Sequence, residues 1–597
     1  MAISVNFNGA TIFEPGSYTR IEVNLSGGFP LSPTGVVALV GEAEGGSPGS
    51  SAGVLTFTSQ DLASLIANYK SGPIVDAARL LIAPGRDGRV ANGASLIRIY
   101  KTNASTRSSL ALDNGAATAL FNLQSSNYGD DENLISVKVE AGTNANARII
   151  TVKKQDNIEV LSENEREAKL DIQYTGSNGT ATITIQSGIL AVDAGGADDI
   201  SIALAGKTLQ DLVDLIDSNA NYSASSTSQK KAYESASRLD PISTATDVKT
   251  AAVELFAQQQ ELLDIINGES SLIQATRVSN VEGTIAAIAK TFMTGAAKGI
   301  STNSSFQAGF DALLAVRCNT VVPLISRDAA DLASDGKTDP SSTFDVDSVN
   351  TQALTHCITA SNTKNRSERN CYVSKKDTFA NMQTAARDLN HERASMLFQD
   401  VQILGTDGTL KFEEPWAASA IIAGIQAGTE VGEPATFKGI AVNGIQHSDY
   451  NEKTQADLAI SAGLVPLRSR DSGGFICLVH NSTYSKDANF VFNRPHVLEA
   501  ADYVAFNLRQ QLEAIFIGTK ARTGTAEAIK NTIISIMNSF LREDIIVGDD
   551  TNEGLGFKDL VVSINGNKAE VDITVTPVQG IDFILARITL DNIRQTA

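Results

Sequence analysis

Few residues of this chain are spaced for chemistry. Gly41–Gly46 reads GEAEGG, a glycine-rich turn after an apolar run, where a phosphate loop would begin. It lacks the Lys-Ser/Thr that grips a phosphate and its metal, so a tight surface loop is expected instead. Asp549, Asp550, Asn552 and Glu553 form an acidic turn closed by Gly554. A calcium loop needs oxygens at alternate positions and a later glutamate; Thr551 breaks that order, and a solvated turn is the favoured reading. The histidines His356, His391, His447, His480 and His496 show no HExxH or HxxxH spacing, and no GxSxG nucleophile elbow occurs. Cys318, Cys357, Cys371 and Cys477 make no CxxC pair and read as small buried residues of a reducing compartment. No catalytic, cofactor or metal residue is assigned. Triads assemble in space rather than in sequence, so an enzyme or a carbohydrate-binding module stays open as an alternative of another class.

The chain has 597 residues, more than one hydrophobic core supports, so several domains are expected. Asp and Glu number 68 against 48 Lys and Arg, a formal charge of −20. That balance offers no basic face for duplex DNA, and solubility is its simplest use. Met1–Ala10 has neither the basic start nor the apolar core of a secretory leader, and no apolar run reaches the ~18 residues of a bilayer helix. No membrane insertion and no direct contact with nucleic acid are expected.

With so little chemistry, the elements themselves carry the argument, and the last hundred residues carry most of it. Val497, Ala501, Val504, Leu508, Leu512, Ile515 and Phe516 recur at helical spacing, and Gly518 is placed to stop that helix. A second helix has Thr525 as its expected N-cap, Glu527 in its first turn, and the stripe Ile529, Ile533, Ile536, Met537, Phe540. A hairpin follows, Leu560–Ile564 turning through Asn565, Gly566 and Asn567 into Val571, Ile573 and Val575. Ile581–Leu590 is another alternating run, with Ile584, Ala586, Ile588 and Leu590 on one face. At the other end Ile3, Val5 and Phe7 alternate, then Ile21, Val23 and Leu25. Strand-grade segments at both tips are material to lend to another sheet.

This order of helix, glycine-interrupted loop, helix ending in SFLRE, hairpin and VTPVQGIDFILARITL resembles the C-terminal domain of bacteriophage contractile tail sheath proteins. Gly16 and Tyr18, GVVALVGEAEGGSPG (Gly35–Gly49), SGPIVDAARL (Ser71–Leu80), IRIYKTNAST (Ile97–Thr106), EEPWAASAIIAGIQAGTEVG and FKGIAVNGI are similar to the same family in the same order. The resemblance covers roughly residues 10–140 and 290–597. It implies a structural subunit that stacks as six-fold rings around a tail tube and contracts to drive the tube through the host envelope. It also implies terminal arms that lend strands to neighbours, baseplate and tail terminator proteins as further partners, no cofactor, assembly in the host cytoplasm and a place in the virion tail. A sheath of a bacteriocin-like or secretion-type injection system is the alternative within the same fold. Within the resemblance, the arm strands are Ile21, Val23 and Leu25 at one end and Ile584, Ala586, Ile588 and Leu590 at the other, with Val571, Ile573 and Val575 as the receiving sheet. The polar face Glu499, Arg509, Gln510 and Glu513, with Lys520, Arg522 and Lys530, is the expected contact with the tube.

The expected fold class is α/β and α+β, multidomain. Its sheath core is made of N- and C-terminal segments, with inserted, partly β-rich outer domains and extended arms. Residues 1–33 form the N-terminal arm and 34–104 the first part of the core. Residues 105–290 are inserted, β-rich then helical, with helices at Leu209–Ile216 and Val248–Ile266, the latter capped by Asp247. Ser218–Asp247 reads as loop. Residues 291–435 alternate strand and helix, with a strand at Ser395–Leu404, which predicts a mostly parallel sheet. Residues 436–597 are the C-terminal domain, ending in the arm strand 581–597.

Overall fold

The computed structural model describes residues 5–7, 10–12, 35–325 and 343–587, apart from 91, 145, 406, 407, 488, 583 and 586. Residues from both halves of the sequence build its central sheet. The strands are β1 (Val36–Gly41), β2 (Leu55–Thr58), β3 (Leu96–Lys101), β4 (Thr320–Pro323), β5 (Asn370–Ser374) and β6 (Ala394–Leu397), in the order β6-β5-β4-β1-β3-β2. All pairs are parallel except β2–β3. Val37 and Leu39 of β1 face one core while Val36, Ala38 and Val40 face another, which is why this strand is continuously apolar. Helix α1 (Pro73–Ile82) covers the first face, and α2 (Val346–Ser361) the second. Helix α3 (Pro415–Gly428) has no polar stripe and is buried from Pro415 to Gln426. It lies against α1 so closely that a Cβ on Gly424 would stand 2.9 Å from the Leu81 carbonyl oxygen.

The chain leaves this sheet after β3 and returns before β4. Entry and exit run side by side: Ser109 and Thr294 exchange backbone hydrogen bonds of 2.8 and 3.1 Å, and Thr102 Oγ1 lies 2.8 Å from Ser301 Oγ. Between them lie two further apolar cores, one drawn from Leu112 to Met293, the other nested in it from Leu170 to Leu255. Antiparallel sheets supply both. The helix expected over Val248–Ile266 is corrected: Ile242–Asp247 and Val253–Phe256 are strands, and the helix is Gln258–Glu269. Asp247 caps nothing; its carboxylate accepts from the Lys249 and Thr250 amides in a turn between the two strands. Ser218–Asp247 likewise contains the strand Tyr222–Ser225. Ser395–Leu404 divides into β6 and a separate strand, Asp400–Leu404, in another sheet.

The C-terminal part follows the expected helix, helix, hairpin order. Helix α4 spans Pro495–Phe516 and α5 spans Thr525–Arg542, with Gly518 at φ +82° after α4. Gly524 rather than Thr525 takes the N-cap position of α5; Thr525 Oγ1 instead accepts from the Arg522 amide. Strands β7 (Phe557–Asn565) and β8 (Lys568–Val575) pair with Val562 opposite Val571 and Ile564 opposite Ala569. Their apolar face packs on Ile533, Met537 and Phe540 of α5. Near the N-terminus, residues 5–7 and 10–12 pair antiparallel. Ile21, Val23 and Leu25 lie outside the described residues, as do Ala586, Ile588 and Leu590.

Candidate functional site: the C-terminal ribbon and the root of the arm

The β7–β8 ribbon is two-stranded. Among the described residues neither strand has a second ladder neighbour, so the outer edges of both keep backbone N–H and C=O groups available. Val571, Ile573 and Val575, the expected receiving residues, are half-buried on the face turned to α5. Alternation with a period of two puts Asp572 and Thr574 on the outer face.

After β8 the described residues form no further strand. It runs along the segment that follows α5: Val547 N–H donates to Thr576 O (3.0 Å), and Val578 N–H to Ile545 O (3.0 Å). Val578 fills the space left by Gly432, where a Cβ would meet Val578 Cγ1 at 2.2 Å. Asp582 Oδ2 then accepts from Arg494 Nε at 2.8 Å, and both side chains are largely buried. Immediately beyond, exposure rises to 86% at Ile584 and 96% at Leu585. Three apolar residues, Ile581, Ile584 and Leu585, face solvent within five positions of sequence, with no partner strand among the described residues.

The polar residues of α4 divide. Glu499 is corrected from the wet face to a half-buried position: it accepts a short hydrogen bond from Gln426 Nε2 of α3 and lines, with Tyr372 and Asp502, a cavity of about 30 Å³. Burial pushes its pKa up to about 8. Arg509 donates to both carboxylate oxygens of Glu368 (2.8 and 3.0 Å), and Glu513 pairs with Arg366 at 2.5 Å, so both tie α4 to the 366–368 loop of the same chain. Gln510, Lys520 and Arg522 are exposed and Lys530 half-buried. Within the expected apolar stripe, Ala501 is only half-buried and Ile515 is 39% exposed, whereas Ala500 is buried. Two tethers escaped the sequence reading. Arg393 grips Asp502 through two bonds of 2.7 and 3.1 Å, and Arg317 stacks on Phe506 with its guanidinium 3.5 Å from the ring centroid. Their partners are more than a hundred residues away, so spacing carried no signal.

The chemistry-bearing motifs turn inward. In GEAEGG the amides of Ala43, Glu44 and Gly45 donate to Asn103, Ser71 and Tyr69, while the carbonyls of Gly45 and Gly46 accept from Lys101 Nζ at 2.7 and 2.9 Å. The loop therefore holds an internal ammonium rather than a phosphate, and burial pulls the pKa of Lys101 down to about 7. Asp549 accepts from the Thr551 and Asn552 amides, so the acidic turn satisfies its own backbone. His480 bonds Tyr372 Oη at 2.8 Å and His356 bonds Arg369 at 2.9 Å. All four cysteines are buried and free. Among the described residues no group of three His, Cys, Asp or Glu side chains is arranged to hold a metal, and no helix is long and apolar enough to cross a membrane.

No protein family model matches the chain. It is, however, similar to the tail sheath protein of Bacillus phage SP01, 23% identical over 98% of this chain and 96% of that protein. The likeness to this tail sheath protein runs along nearly the whole of both chains. A putative tail sheath protein of Enterococcus phage phiEF24C is 30% identical over a shorter stretch, 34% of this chain and 35% of that one. The fold is shared with the sheath tail protein from Desulfitobacterium hafniense, with a TM-score of 0.53 and 12% identity, over 94% of this chain and all of that one. The α/β and α+β multidomain architecture is thus the fold of that sheath tail protein.

Proposed function

We propose that this sheath subunit polymerises as a helical stack of six-fold rings around a tail tube, and that its C-terminal arm completes the ribbon of a neighbouring copy. The observation that carries the reading is the combination of a two-stranded ribbon with open edges among the described residues and a strand-grade tail whose residues Ile581, Ile584 and Leu585 are exposed. Backbone hydrogen bonds contribute about 1 kcal/mol each, and burial of an Ile or Leu side chain about 1.5–3 kcal/mol. A donated strand of several residues therefore holds a joint while the chain behind it swings, which suits a sheath whose subunits rotate and move outward on contraction. Ile21, Val23 and Leu25 supply the arm at the other terminus. Gln510, Lys520, Arg522 and Lys530 remain the contact offered to the tube; Arg509 and Glu513 would have to exchange their partners at residues 366–368 to join them. Baseplate and terminator proteins close the ends of the stack. The subunit works without catalysis or cofactor, and is assembled in the host cytoplasm. Residues 34–104 and 291–435 form the core, 105–290 an outer insertion, and 436–597 the interlocking domain.

The test is Ile588→Pro, which removes a ladder donor and fixes φ in the arm. Tubes should be lost from electron micrographs while the thermal melt of the monomer stays where it was. A collapsed melt would show that the strand completes its own domain and would contradict donation.

A further inference from the structure

Between the folded body and the exposed arm lie only six residues, 577–582, and the structure holds them from three sides. Pro577 bridges Ile546, and Val578 is pinned by its amide and by the gap at Gly432. Gly580 presses on Pro434, where a Cβ would stand 2.7 Å from Cγ, and covers His496. His496 is fully buried, neither of its ring nitrogens has a hydrogen-bond partner, and burial, then Arg494 and Lys438, hold its pKa down to about 3. A bulkier or wetter tail would not sit there. The last hold is ionic. Arg494 precedes α4 and reaches Asp582 with Nε (2.8 Å) and Asn481 with Nη1 (2.8 Å). Asp582 Oδ1 is buried with no partner among the described residues, so it is the Arg494 bond to Oδ2 that places the carboxylate. Two residues further the chain is open to solvent at Ile584.

We propose that the Arg494–Asp582 pair is a clamp that fixes where the C-terminal arm leaves the body and in which direction, so that a load on the arm is delivered to the start of α4 rather than to the β7–β8 ribbon. The proposal rests on the strand-donation reading above. The geometry supports a positioning role and not a core one: the ribbon packs on Ile533, Met537 and Phe540, none of which involves Asp582. Removing the Asp582 carboxylate takes away the ionic hold of Arg494 on the tail, which here would let residues 577–582 lift from His496.

The experiment uses the full-length chain and its Asp582→Asn variant, with Asp582→Glu as the conservative control and a chain ending at Asp582 as the arm-less control. Hydrogen exchange in the 576–582 peptide should rise by about tenfold in Asp582→Asn while α4 and α5 keep their protection. Tubes should become fewer and irregular, and Asp582→Glu should restore both readouts in part. Unchanged exchange at 576–582 overturns the clamp and leaves strand donation standing. Loss of protection throughout α4 and α5 also overturns it, by making the pair part of the core. Local loosening with regular tubes overturns the claim that the clamp directs the arm. Regular tubes from the arm-less chain would instead remove the donation reading itself.

Discussion

At the residue scale, Glu499 shows how far a side chain can depart from what its helix position promises. It stands on the polar side of the α4 pattern, yet α3 lies across that side and Gln426 meets it there. Burial raises its pKa from an ordinary carboxyl value to about 8, and the negative charge of Asp502 adds to the shift. The folded chain thus keeps a proton that the unfolded chain releases above about pH 4.5. Stability from this group is fully present below that pH and is lost as pH rises toward 8, at up to about 1.4 kcal/mol per pH unit. His356 and His496 act in the opposite sense. Both are held down to about 3 by burial, so stability from them is present above about pH 6.5 and lost as pH falls below it. Glu499→Gln keeps an acceptor for Gln426 and removes the titration. Thermal melts from pH 5 to pH 8 should show the variant gaining on the parent as pH rises; parallel curves would mean that Glu499 is ionised in the folded chain.

At the element scale, much was legible because period and punctuation agreed. The run Ile529, Ile533, Ile536, Met537, Phe540 is buried as its spacing requires, and Gly566 with its neighbours sets the β7–β8 turn. The parallel sheet followed from the alternation of strand and helix between residues 318 and 426. Val248–Ile266 misled because Ala251, Ala252 and Leu255 fit a helical stripe as well as a strand; the pairing of Val253 with Ile172 and of Asp247 with Thr182 decided the matter, and both contacts are remote in sequence. The site was legible in part for the same reason. That Val571, Ile573 and Val575 form a strand is local information. That Arg509 is held by Glu368, or Arg494 by Asp582, depends on where distant loops return, and no spacing encodes that.

At the scale of the whole molecule, the chain passes from the central sheet into residues 110–293 and back through one narrow neck. Ser109 and Thr294 form an antiparallel pair that a two-residue Asn-Gly turn can close. Replacing residues 110–293 by that turn removes the two cores that lie between β3 and β4 in sequence and leaves the central sheet with its two faces covered. It also removes Asp131 and Glu132, which pair with Lys70, a partly exposed lysine that water can serve. The shortened chain should fold with a monomeric hydrodynamic radius to match and still form tubes; a soluble, folded product without tubes would place the insertion inside the lattice contacts. The central claim is that the tail leaving at Asp582 belongs to a neighbour's ribbon. A helical reconstruction of tubes assembled from the full-length chain tests it most directly. The account predicts continuous density from Asp582 of one subunit to a strand laid along the β7–β8 ribbon of the next. Density that returns residues 584–590 to the ribbon of their own subunit would contradict it.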